Sequence, residues 1–172
     1  MNFLQRIWRI IRANINSLLQ KTEDPEKILE QAVSDMQEDL VKLRQAVAQA
    51  IASQKRTERQ ANQARSTADQ WKKRAQLALE KGNENLAREA LTRRQSYQQT
   101  ADSLDQQLTQ QNQVIDKLKS DMRKLENKIS EAKNKKDMYI ARARSAQATQ
   151  RVNELMSGVN TGSSLSAFEQ ME

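Results

Sequence analysis

The side chains able to do chemistry here are carboxylates, guanidiniums and ammoniums, because the 172 residues include neither Cys nor His. That absence removes thiol nucleophiles, imidazole bases and the usual zinc ligands together. No Gly-rich or Walker-type phosphate loop is present, and carboxylates scattered along helical sequence mostly solubilise it. No conventional active site, metal site or cofactor is therefore expected. What remains is electrostatics: 29 Lys and Arg against 22 Asp and Glu give a net charge of +7, which favours anionic partners.

The charge is patterned. Arg6, Arg9 and Arg12 recur at spacing three, and Phe3, Leu4, Ile7, Trp8, Ile11, Ile15 and Leu18 fall on the opposite half of a helical cylinder. Residues 1–22 thus predict an amphipathic helix with cations and no acid on its polar face, a composition suited to lying in a lipid interface. Packing of the same face on the rest of the chain is the alternative. The downstream helices offer a narrow, alanine-rich seam and no evident wide groove, which favours the membrane. On that reading Phe3, Leu4, Ile7, Trp8, Ile11, Ile15 and Leu18 insert, while Arg6, Arg9 and Arg12 meet headgroups.

The elements behind this helix are long. Aromatics are only 3%, charged residues 30%, and there are three Gly and one Pro, a composition of coiled coils. Asp24 and Pro25 read as the N-cap and first position of a new helix. Seam positions then alternate at four and three from Leu29 through Val33, Met36, Leu40, Leu43, Val47 and Ala50, and the alternation continues through Thr57, Ala61, Ala64, Ala68, Trp71, Ala75 and Ala78. A second run covers Tyr97, Ala101, Leu104, Leu108, Gln111, Ile115, Leu118, Met122, Leu125, Ile129, Ala132, Lys136, Tyr139, Ala143 and Ala146. Between them Gly82, Asn83, Glu84 and Asn85 form the one plausible tip, so residues 25–156 predict an antiparallel hairpin with arms of about 85 and 110 Å. Residues 157–164, rich in Gly, Ser and Asn, read as a flexible linker, and 165–172 as the start of a further helix, truncated at its end.

The fold class is thus all-α: an N-terminal amphipathic helix, a very long two-helix coiled-coil hairpin and a short C-terminal helix. Seven acids between Glu23 and Asp39 face a single Lys27, whereas nine cations between Lys42 and Arg74 face only Glu58 and Asp69. A solvated face is the plain reading of that asymmetry, and staggered self-association, acidic base on basic tip, the sharper one. Nucleic acid is not expected, since the cations are spread and neither Tyr97 nor Tyr139 sits in a stacking context. No window approaches the ~20 apolar residues of a spanning helix.

Several stretches resemble the family of phage shock protein A and the vesicle-inducing protein in plastids, bacterial and chloroplast relatives of ESCRT-III. They are Glu23-Asp24-Pro25-Glu26-Lys27-Ile28-Leu29-Glu30-Gln31, Met36-Gln37-Glu38-Asp39-Leu40, Asn85-Leu86-Ala87-Arg88-Glu89-Ala90-Leu91, Lys128-Ile129-Ser130-Glu131-Ala132-Lys133 and Ser166-Ala167-Phe168-Glu169-Gln170-Met171-Glu172. The match looks closer to the plastid and cyanobacterial branch. The resemblance implies a homo-oligomer of rings, rods or sheets that remodels and maintains anionic membranes. It also implies a cytoplasmic or stromal protein, peripheral on the inner or thylakoid membrane. Assembly is then expected to draw on Asp24, Pro25, Glu38 and Asp39, and on Phe168, Glu169 and Met171. Two further readings come with the resemblance: an adaptor docking a protein regulator through its first helix, and a nucleotide hydrolase using Arg44 and Glu126, for which a structural salt bridge is an equal explanation.

Overall fold

The computed structural model describes residues 2–169, with side chains to residue 158. Four helices follow in order: α1 (Phe3–Arg12), α2 (Ile15–Leu19), α3 (Pro25–Glu80) and α4 (Glu84–Glu169), and no strand occurs among the described residues. The long helices α3 and α4 pack against each other as a hairpin. The chain divides into two compact units, one holding residues 1–38 and 125–172, the other residues 39–124.

In the second unit the heptad positions are the core. Leu40, Leu43, Val47, Ala61, Ala64, Ala68, Ala75 and Ala78 of α3 are buried, with Ala101, Ile115 and Leu118 of α4. Ala87 and Ala90 add to it close to the turn. Alanine lets two backbones approach closely but buries little area, at roughly 0.8 kcal/mol per CH₂. Polar contacts supplement it: Arg65 donates through Nη1 to both oxygens of Asp105 at 2.7 and 2.6 Å. Midway along, Gln111 occupies a seam position and donates to Ser53 Oγ at 3.4 Å, while Gln54 donates to Asn112 Oδ1.

The turn follows from two residues, Gly82 and Asn83. Gly82 takes φ +74°, which carries no Cβ penalty, and donates to Leu79 O at 3.0 Å, while Asn83 N–H donates to Ala78 O at 2.8 Å. These two bonds close α3. The Asn83 side chain then accepts from Leu86 N–H at 3.2 Å and caps α4, so one residue ends one helix and starts the next.

In the first unit Asp24 caps α3 as expected, accepting from Lys27 N–H at 3.3 Å. Leu29, Val33 and Met36 of α3 and Leu125, Ile129 and Ala132 of α4 are buried. The seam stops there. Ala143 and Ala146 are exposed, with the whole of 141–158, because α3 begins at Pro25 and supplies no residue opposite them. Tyr97 is exposed as well, so the expected pattern runs beyond its partner at the end and falls short at the tip.

The backbone of α4 continues through 157–164, where a linker is expected, and as far as Glu169. A Gly costs about 1 kcal/mol in a helix, but extending an existing helix needs no new nucleus and no Pro intervenes. Residues 170–172 of the expected further helix lie outside the described residues.

Candidate functional site

The N-terminal segment is two helices rather than one. Ala13 is extended, and the Asn14 side chain accepts from Asn16 N–H at 3.1 Å, making a local cap that competes with helix continuation. The single helix expected over residues 1–22 therefore breaks after Arg12. Lys128 of α4 seals the break, its Nζ donating to Ala13 O at 2.8 Å, where the C-terminal end of α1 favours a cation.

This segment packs more than its composition suggests. Ile7 is 1% exposed and Ile15 is also buried, so neither is free to meet lipid in this conformation. A cleft of about 190 Å³ separates α1 and α2 from the adjoining turns of α3 and α4, lined by Ile10, Ile15 and Leu18 on one side and by Leu29 and Met36 of α3 and Ala132 of α4 on the other. The groove that the heptad pattern hides is here: Ile28 and Ala32 flank the seam and widen its apolar floor.

The remaining candidates divide by exposure. Leu4 is 39% exposed and Leu18 is exposed too, while Phe3, Trp8 and Ile11 are half-buried. Arg6, Arg9 and Arg12 are all exposed, and Arg12 lies over the Trp8 ring at 4.8 Å. An amphipathic helix thus rests on the hairpin with its cationic edge outward.

Of the residues expected in assembly, Asp24 is an exposed cap, Pro25 half-buried, Glu38 exposed and Asp39 buried. The side chains of Phe168 and Glu169, and all of Met171, lie outside the described residues. Arg44 is exposed on α3 and Glu126 half-buried on α4, each already engaged within the chain. No group of three or more metal-ligating side chains occurs among the described residues, and no described helix is long and apolar enough to cross a membrane.

The tip holds a feature that the sequence reading passed over. Trp71 carries Arg74 at 4.5 Å and Arg93 at 5.0 Å from its ring centroid, beside a cleft of about 430 Å³. The i, i+3 spacing of Trp71 and Arg74 signals one half of it. Arg93 comes from the other arm and emerges only once the hairpin register is fixed.

With the geometry in hand, the family assignment is direct: the sequence profile of the PspA/IM30 family matches residues 2–172. The chain belongs to the PspA/IM30 family. Among relatives of that family, it is 51% identical over 172 residues to the membrane-associated protein Vipp1 of Nostoc punctiforme, covering all of this chain and 67% of that protein. To the chloroplastic membrane-associated protein VIPP1 of Oryza sativa it is 53% identical over 171 residues, 99% of this chain and 54% of the relative. A phage shock protein A homolog of Deinococcus radiodurans is 38% identical over 172 residues, with 77% of its length covered. The chain thus spans little more than half the length of the rice relative and about two thirds of the Nostoc one.

Proposed function

We propose that this chain is a peripheral membrane protein that binds anionic bilayers through α1 and acts there as a homo-oligomer, remodelling and maintaining an inner or thylakoid membrane. The names of the Nostoc and rice relatives, membrane-associated at 51% and 53% identity, support the membrane. The observation that carries the reading is α1 itself. Three exposed arginines and a Trp frame an apolar face whose outer member, Leu4, already meets water.

Insertion follows by exchange. Ile7 leaves one apolar environment for another, so its transfer is nearly neutral, while Phe3, Leu4, Trp8 and Ile11 gain burial worth about 4 to 8 kcal/mol gross. Each arginine adds about 1 kcal/mol near an anionic leaflet. Ordering and translational costs take most of this back, so one copy binds reversibly and many linked copies bind durably.

The test is flotation with anionic and neutral vesicles at low and high salt, using Leu4→Glu. This variant is preferable to Ile7→Glu, because burying a charge at Ile7 would disturb the fold. Wild type should float with anionic vesicles and survive moderate salt, and Leu4→Glu should stay behind with unchanged helicity. Equal flotation of both, released by salt, would leave charge acting alone and sink the insertion reading.

A further inference from the structure

The hairpin tip combines exposed apolar side chains with an excess of positive charge. Leu77, Leu79, Leu86 and Leu91 are 51%, 57%, 55% and 43% exposed, within fifteen residues of one another. Residues 72–94 carry Lys72, Lys73, Arg74, Lys81, Arg88, Arg93 and Arg94 against Glu80, Glu84 and Glu89. Leucines this open are costly to leave in water, and four of them within fifteen residues, interspersed with charge, mark an interaction surface.

Two details identify the partner. At about 100° per residue Leu77 and Leu79 stand on nearly opposite sides of α3, and Leu86 and Leu91 are similarly spread on α4. A docked protein segment would cover one side, whereas immersion in an interface covers all of them. The Trp71 site supplies the second detail. Arg74 and Arg93, one from each arm, are exposed and held over one indole ring, which orders two guanidiniums beside Leu77 and Leu86. A stacked guanidinium turns its N–H edge outward, where Arg93 Nη2 makes a long, exposed contact of 3.5 Å to Glu89 Oε1, and that edge matches phosphate oxygens better than a single distant carboxylate.

We propose that the hairpin tip is a second anionic-lipid contact, in which Arg74 and Arg93 hold headgroup phosphate while the leucines around Gly82 enter the interface. Trp71 then lies at headgroup level, the depth an amphipathic indole prefers. This contact is separate from α1 and does not depend on it.

The two tryptophans allow each contact to be read alone. In the full chain carrying Trp8→Phe and Leu4→Glu, Trp71 emission is followed with phosphatidylglycerol vesicles and with phosphatidylcholine vesicles, both bearing brominated acyl chains. Quenching and a blue shift are expected on the anionic vesicles only. Arg74→Gln with Arg93→Gln, both exposed and checked for helicity, should raise the lipid needed for half-quenching by roughly 30-fold, the effect of two interfacial cations. A companion chain with Trp71→Phe reports Trp8 and α1.

Quenching of Trp8 but not Trp71 would overturn the tip proposal while leaving the α1 reading intact. Trp71 quenched with Trp8 silent would do the reverse. Trp71 emission that shifts with protein concentration and ignores lipid would also overturn the tip proposal, showing a second copy of the chain covering that surface.

Discussion

Lys128 illustrates what a single residue decides in this fold. It sits half-buried beside the seam residues Leu125 and Ile129, and its ammonium reaches the Ala13 carbonyl across 115 residues of sequence. Removing the donor leaves that carbonyl at the end of α1 without its cation, a loss of about 1 to 3 kcal/mol for a partly buried group. The loss falls on the docked state of α1 and not on an inserted one. Lys128→Gln should therefore tighten binding to anionic vesicles by roughly 10-fold, since the competing docked population shrinks. A vesicle titration with circular dichroism checks this, and weaker binding by Lys128→Gln would mean that docking assists insertion instead of opposing it. Capping by Asp24 was legible beforehand because it spans three residues, from Asp24 to Lys27 N–H. The Lys128 contact was not, because no local pattern encodes a partner from the far arm.

At the scale of elements, the period of the apolar residues located most of the core. Leu29 through Ala78 are buried or half-buried at nearly every expected seam position, since a heptad seam depends only on spacing and on a partner of matching length. Where the partner ends at Pro25, the pattern at Ala143 and Ala146 loses its meaning. The break between α1 and α2 escaped for another reason: the apolar stripe continues through residue 19, while the Asn14 side chain, invisible to periodicity, caps a new helix. The polar layer of Ser53, Gln54, Gln111 and Asn112, with Thr57 buried one turn on, interrupts a largely apolar and alanine seam. Gln111 Oε1 is buried there with no hydrogen-bond partner. A polar seam residue fixes register at a cost in stability. Gln111→Leu should accordingly stabilise the hairpin by about 1 to 2 kcal/mol, seen as a higher urea midpoint at unchanged slope. A lower midpoint would show that the bond to Ser53 outweighs the buried oxygen.

For the molecule as a whole, charge is the property that its sequence states most directly. Seven acids lie between Glu23 and Asp39; Asp39 is buried, which leaves six for the surface. Nine cations lie between Lys42 and Arg74. In the proposed homo-oligomer the acidic stretch of one copy would meet the basic stretch of another, and each added copy would repeat the same contact. Apolar contact would also drive association, through Val152, Leu155 and Met156, which are exposed on α4. Salt separates the two forces. The screening length falls from about 8 Å at 0.15 M to about 3 Å at 1 M, while apolar contact is unaffected or strengthened. If charge sets the assembly, sedimentation velocity should show large species shrinking toward small ones as salt rises, at constant helicity. Glu26→Lys with Glu30→Lys, both exposed, should reproduce that shrinkage at low salt, because two attractive contacts per copy become repulsive. Assemblies that grow with salt and tolerate the reversal would place the driving force on the apolar side chains of α4 instead.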